Sequence, residues 1–411
     1  MKKDQTRKTA LVLSGGGARG AYEAGIIHYL RTMLPPKIRN HSFDIQCGSS
    51  VGAINSSFMA SSAHDLELQG RRIHEVWSKL TPDRIYRRQT IALLDFLRKG
   101  GRGLLMNFIR RNQTGIPHFR GFLDTSPFLP FMEQEIDWKQ ITRNIKAGLV
   151  QALSISATNV FTGRLELFIQ KRDDVEYSGS YITHFTKIRP IHTMASAAIP
   201  IIFPTVDVDG IPYTDGGLRL NTPMSPAIQL GADSLFIIGL HHRAKPGEKI
   251  PSIGKKGVPP SMGQVLGRVM NSIFLDRTQY DLEQLERINR IIDWSEELYG
   301  ENYLEDLNQM LRRKEIRGDV ADRGLKRLRV LRIRPSEIIG DIFDHAFRKH
   351  RDQYFSNFEK FLVRFLDIDP SGGVDFLSYI AFIPEYLKKL IELGFEDARS
   401  NHKEIVEFFE R

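Results

Sequence analysis

Short apolar runs alternate with segments of helical periodicity over the first two-thirds of the chain. "TALVLSG" reads as a buried strand entering a glycine turn, and Ala18 to Leu34 as a helix stopped by Pro35 and Pro36. "FDIQCGSSVGAINSSFMASS" repeats the pattern: strand, sharp turn at Gly48–Gly52, then a helix of small residues. Residues 64–147 read as mostly helical and loosely patterned. "AGLVQALSISATNV" and "RLELFIQ" read as strands, followed by a short helix around "HTMASAAIP". "VDVDGIPYTDGG" holds two short extended pieces, and "SLFIIGLHH" is the continuous apolar run of a central parallel strand. A Pro/Gly/Lys loop follows, then one long polar helical stretch from 263 to 325, a last strand in "LRVLRIRPS", and a charged helical region from 336 to 411. Strands alternating with helices predict a three-layer α/β domain on a mainly parallel central sheet, with a C-terminal helical region added.

Two glycine-bracketed stretches carry candidate chemistry. Gly48-Ser49-Ser50-Val51-Gly52 fits G-x-S-x-G between a strand and a helix, the setting of a nucleophile elbow, and makes Ser50 the candidate nucleophile. Asp215, before Gly216 and Gly217, is either ordinary Asp-Gly turn chemistry or a catalytic carboxylate. Upstream, Gly15, Gly17 and Gly20 fit G-x-G-x-x-G. A dinucleotide site also needs an acidic residue about 20 positions on, at the end of a second strand, to hold the ribose. Asp44 is too far along and precedes its own strand. The same geometry serves an oxyanion: consecutive glycine N–H groups at a helix N-terminus face one way at the positive end of the dipole. Arg19 adds charge there or is a helix-surface arginine.

In that order, glycine loop, G-x-S-x-G and a distant D-G-G, the chain resembles the patatin-like phospholipase family. "ASAAIPIIFPTV" and "DGGLRLNTP" resemble the family's stretches on either side of its catalytic aspartate. Ser14 stands where plant patatins commonly have aspartate, so bacterial and neuropathy-target-esterase-like members are the better match. The resemblance covers residues 9–243 and, more loosely, continues to about 335; residues 244–335 hold a loop, helical stretch and last strand, and 336–411 the terminal helices. It implies a patatin-like α/β/α fold and hydrolysis of phospholipid or lysophospholipid acyl esters. Ser50 would attack, Asp215 would take its proton, and Gly15, Gly16, Gly17 and Arg19 would form the oxyanion site. No metal and no cofactor is expected, since His28, His192, His241 and His242 fit no ligand spacing. The rival readings are a catalytically silent membrane-surface scaffold and a nucleotide-binding oxidoreductase.

Composition bounds the setting. The 411 residues are 41% hydrophobic and 26% charged, enough for a sizeable core. No uninterrupted apolar run approaches the roughly 18 residues of a membrane span, and the apolar stretch before the glycines is too short for a signal peptide. The single cysteine, Cys47, allows no internal disulfide and fits a reducing compartment. The expectation is a cytoplasmic protein, with Sec-independent secretion equally compatible. The net charge of +9 lies in residues 1–240, where 71–120 hold 12 Lys/Arg against 3 Asp/Glu threaded through "IALLDFL" and "GLLMNFI". That segment reads as solvated helix faces or as a cap on an anionic membrane. Nucleic acid is disfavoured because no recognition signature accompanies the charge.

Overall fold

Both faces of the central sheet are dry, and the strands show it by alternating between two separate cores. The computed structural model describes residues 7–87, 109–111, 117–119, 121, 123–242, 265, 278–313, 324–354 and 377–410. The chain begins with β1 (Thr9–Leu13), a 3-10 turn (Gly17–Arg19), α1 (Gly20–Thr32), α2 (Pro36–Arg39), β2 (Ile45–Ser49) and α3 (Val51–Ser61). Then come α4 (Leu66–Ser78), α5 (Pro82–Ile85), β3 (Ile109–Arg111), β4 (Pro117–Phe119), α6 (Phe128–Glu135) and α7 (Trp138–Lys146). The second half of the sheet comprises β5 (Ala152–Asn159), β6 (Leu165–Lys171), β7 (Ile182–Phe185), α8 (Pro190–Ser196), β8 (Val206–Val208), β9 (Ile211–Asp215), α9 (Met224–Gln229) and β10 (Ser234–Ile238). Last are α10 (Thr278–Tyr299), α11 (Tyr303–Arg313), β11 (Arg329–Ile333), α12 (Ile339–Tyr354), α13 (Pro384–Ser400) and α14 (His402–Glu410).

The sheet runs β11-β10-β1-β2-β5-β6-β7, with β9 pairing the end of β5 and β8 pairing β9. Pairs β11–β10, β10–β1, β1–β2, β2–β5 and β6–β7 are parallel, while β5–β6, β5–β9 and β8–β9 are antiparallel. Leu11 and Leu13 of β1 join one core, with α1, α3, α4, α13 and α14; Ala10 and Val12 join the other, with α9 and α10. This is the three-layer α/β/α arrangement expected. Within residues 64–147, expected to be mostly helical, β3 and β4 instead pair as a small antiparallel hairpin. Among the described residues no helix is long and apolar enough to cross a membrane.

The C-terminal helices share the first core. Phe343, Leu387, Leu390 and Phe408 are buried in it beside Tyr22, Ile26 and Phe236. α13 crosses α1 at close range, where a Cβ on Gly25 would land on the Ile391 carbonyl and one on Gly394 on the Tyr22 carbonyl. The Tyr22 hydroxyl donates to Asp397 across the same seam at 2.8 Å. Backbones that approach this closely leave no room for a side chain, and overpacking a core costs about 1–3 kcal/mol. Gly394→Val is therefore expected to lower the unfolding free energy from urea melts by an amount in that range, with a lower midpoint, and Gly394→Ala to be intermediate. Unchanged midpoints in both would show that the helices separate without cost.

Candidate active site

Ser50 sits between β2 and α3 with φ 53° and ψ −125°, a left-handed conformation that a side chain adopts only under constraint. A Cβ on Gly48 would strike the Gly52 carbonyl, and one on Gly52 the Leu13 carbonyl, so the turn closes only with glycine at both positions. The Ser50 N–H donates to Ser196 Oγ at 2.9 Å, and that hydroxyl donates to the Ser156 carbonyl at 2.6 Å. Strand β5 and helix α8 thus brace the elbow from below.

Asp215 ends β9, where pairing with Ala157 of β5 brings it beside β2. Ser50 Oγ donates to Asp215 Oδ2 at 2.6 Å, and the Gly217 N–H donates to Oδ1 at 2.7 Å. Gly216 and Gly217 form the 3-10 turn that aims this N–H back at the carboxylate. Both Ser50 and Asp215 are buried. Burial raises the Asp215 carboxyl to about 7, although the bonds from Ser50 and Gly217 pull it down. At its ordinary value a carboxylate is a poor base for a hydroxyl; desolvation would match this one to neutral pH.

The glycine loop lies against the same serine. A Cβ on Gly15 would stand 2.9 Å from Ser50 Cβ. The Gly15 N–H donates to the Asn221 carbonyl at 3.0 Å, and the Ala18 N–H to the Tyr379 carbonyl at 2.8 Å. Among the described residues, the Gly16 and Gly17 N–H groups between them donate to no protein acceptor. Arg19 is buried, and its guanidinium donates to Ser378 Oγ and stacks over the Tyr379 ring. Ser50, Asp215, Gly15, Gly17 and the two elbow glycines are therefore brought together, while Arg19 is directed into the C-terminal segment.

An apolar pocket opens from Ser50 and Gly17, lined by Val51, Ile54, Phe58, Trp77, Met132 and Phe203, among others. Glu135, bound by Arg72 at 3.1 Å and Arg84 at 3.2 Å, closes part of its lining. Other cations of the basic segment are likewise paired: Arg71 with Glu67 and Lys79 with Glu75. Residues 88–108, which include Arg88, Arg98 and Lys99, lie outside the described residues. Cys47 is buried in the middle of β2. His192 is stacked on Phe168 and buried, which lowers it to about 4; His28 bonds to the Gly70 carbonyl. No group of three or more metal-ligating side chains occurs among the described residues. Sequence reading missed Ser196 and Asn221 as supports of the site, although both stand in stretches that carried the resemblance.

The patatin-like phospholipase family model matches residues 11–228, more than half of the chain, and contains the elbow, the glycine loop and the aspartate. This chain belongs to that family. A cGAMP-activated phospholipase of Pseudomonas aeruginosa is 25% identical over 213 residues, 52% of this chain and 53% of that protein. The chain thus spans about half the length of this curated relative. Among solved structures, VipD from Legionella pneumophila is 14% identical, with 96% of this chain and 66% of that one covered at a TM-score of 0.34. Human GIVD cytosolic phospholipase A2, solved with methyl gamma-linolenyl fluorophosphonate, is 11% identical, with 99% and 60% covered at 0.40.

The raised Asp215 pKa makes two linked expectations. Any activity that needs its carboxylate should show an acid limb in kcat/KM with a midpoint near pH 7. For stability, the folded carboxyl holds its proton at higher pH than the unfolded one. The native state therefore binds more protons between the ordinary carboxylate value of 3.8 and about 7, and stability falls as pH rises through that window. Asp215→Asn removes the penalty, so it should exceed wild type in stability at pH 8 by up to a few kcal/mol, with the gap narrowing toward pH 4. Denaturant melts at the two pH values measure this; equal gaps at both would contradict it.

Proposed function

We propose that this protein is a lipid acyl hydrolase of the phospholipase A or lysophospholipase type, working through a Ser50–Asp215 dyad. The observation that carries the reading is the 2.6 Å bond from a strained, buried serine to a carboxylate of raised pKa. Family membership supports lipid hydrolysis in general; the geometry supports the division of labour.

In this reading, Ser50 Oγ attacks the ester carbonyl carbon while its proton passes to Asp215 Oδ2. The negative oxygen of the tetrahedral intermediate accepts from the Gly16 and Gly17 N–H groups, at the positive end of α1. Collapse expels the alcohol portion of the lipid, which takes the proton back from Asp215, and leaves an acyl-serine. Water, deprotonated by the same carboxylate, releases the fatty acid and restores the serine. Nucleophile, base and oxyanion donors all come from residues 9–243, so no metal or cofactor is required. The apolar cavity takes the acyl chain: it opens beside Ser50, and its wall is aliphatic and aromatic. The protein acts from the aqueous side of a phospholipid surface, in the cytoplasm or after Sec-independent export.

Ser50→Ala and Asp215→Asn are each expected to abolish most release of fatty acid from lipid extracts, read by mass spectrometry, and the double variant to be little worse than either. EDTA should leave wild-type turnover unchanged. Groups acting as one unit lose rate non-additively, so independent multiplicative losses would argue against the dyad.

Ile54→Trp, which fills part of the cavity, should cut kcat/KM for long-chain p-nitrophenyl esters about two-hundredfold while sparing the acetate. Excluding four methylenes at about 0.8 kcal/mol each corresponds to that factor. Equal losses on both esters would remove the acyl chain from this cavity.

A further inference from the structure

The glycine loop is held by a part of the chain that lies far outside the residues matched by the family. Segment 377–383 is buried throughout and packs against the loop and the cavity at once. Gly17 has φ +57°, and a Cβ there would fall on the Tyr379 carbonyl oxygen. That same oxygen accepts the Ala18 N–H at 2.8 Å, so it occupies the inside of the turn. One residue on, Arg19 donates to Ser378 Oγ through Nε at 3.1 Å and Nη2 at 2.6 Å. Its guanidinium carbon lies 3.8 Å from the centre of the Tyr379 ring. The segment is fixed in turn: Tyr386 donates to the Ser378 carbonyl at 3.2 Å, Tyr86 to the Ile380 carbonyl at 3.3 Å, and Phe382 reaches the cavity wall.

We propose that Arg19, Ser378 and the Tyr379 main chain form a clamp that holds the Gly15–Gly17 loop with its Gly16 and Gly17 N–H groups turned toward Ser50. The C-terminal segment is then a positioning element of the reaction. This rests on the Ser50 reading above. A run of three glycines has no side chains to lock its own dihedrals, and an oxyanion site is effective only when its donors are aimed before charge develops. Asn221 holds one end of the loop through the Gly15 N–H; the Tyr379 carbonyl holds the other through Ala18. Arg19, instead of facing the substrate, secures the residue that supplies that carbonyl. Arg19, Ser378 and Tyr379 are thus positioning residues, acting on the reaction through the loop.

The test uses the full chain, a short soluble p-nitrophenyl ester, and the variants Arg19→Gln, Ser378→Ala and Ser378→Thr. Arg19→Gln and Ser378→Ala are expected to lower kcat ten- to hundredfold, less than the 10²–10³ of deleting a donor outright. KM should stay within about twofold, and the acid limb of the pH profile should not move, because the dyad is untouched. The double variant should be no worse than Arg19→Gln, and Ser378→Thr, which keeps the hydroxyl, should recover most of the rate. Should Arg19→Gln fail to fold, the smaller Ser378 changes still decide the question. Wild-type kcat in Ser378→Ala, or a rate loss accompanied by a shifted acid limb, overturns the clamp. Hydrolysis that survives Ser50→Ala would instead overturn the reading beneath it, and the two failures are distinguished by that variant alone.

Discussion

A serine held at φ 53° and ψ −125° stores on the order of 1–3 kcal/mol of backbone strain, and much of this molecule serves to keep Ser50 there. Relaxed, the turn would swing the hydroxyl away from the end of the sheet. It is retained because β2 lies between β1 and β5, paired in parallel on both sides, so neither end of the turn can shift. The Leu13 and Gly52 carbonyls then pass so close to the elbow that only glycine fits at 48 and 52. Ser196 holds the Ser50 N–H and is itself held by Ser156, a residue of the adjoining strand. The strain is local, but the structure that opposes it extends across several elements.

Dryness is the second constraint, and it follows from the first. Aiming Ser50 into the space beneath α3, α4 and α6 places it on the wall of an apolar cavity and leaves Asp215 without solvent. An isolated ionised carboxylate is costly in such surroundings; Asp215 is tolerated because two donors, the Ser50 hydroxyl and the Gly217 N–H, each meet one of its oxygens. Those bonds offset only part of the desolvation, and the remainder is the raised pKa, which would suit the proposed base in a site without a histidine. His192, the imidazole of α8, is buried against Phe168 with Nδ1 accepting from the Arg189 N–H, and so serves packing.

What the sequence made legible was local. The continuous apolar runs of β1, β2 and β10 announced buried parallel strands, and the spacing around Ser50 and Asp215 marked both members of the proposed dyad. β7 escaped because it is an edge strand whose residues are half-buried or exposed, leaving no clear alternation to read. The polar helical stretch from 263 to 325 contains α10 and α11 with a break at Gly300, which the sequence does not mark because a charged helix shows little change of pattern across it. For Arg19 the sequence offers charge for the glycine loop or a place on the helix surface, whereas the side chain is buried against Ser378 and Tyr379. Its partner Ser378 is 359 positions away, and no periodicity or spacing rule reaches that far.

That distance also explains how the terminal helices relate to the chemistry. α1 starts at Gly20, directly after the loop, so any tilt of α1 would carry the Gly16 and Gly17 N–H groups with it. α13 crosses α1 at Gly25 and Gly394, with each backbone against a carbonyl of the other, and the Tyr22–Asp397 bond spans the seam. The segment that precedes α13 delivers Ser378 and Tyr379 to the loop, with α13 itself beginning at Pro384. One C-terminal element therefore sets both the axis of α1, which begins against the elbow at Val51, and the turn of the glycine loop. Two glycines too small to resist close packing and one carbonyl in the right place couple the terminal helices to the proposed oxyanion donors.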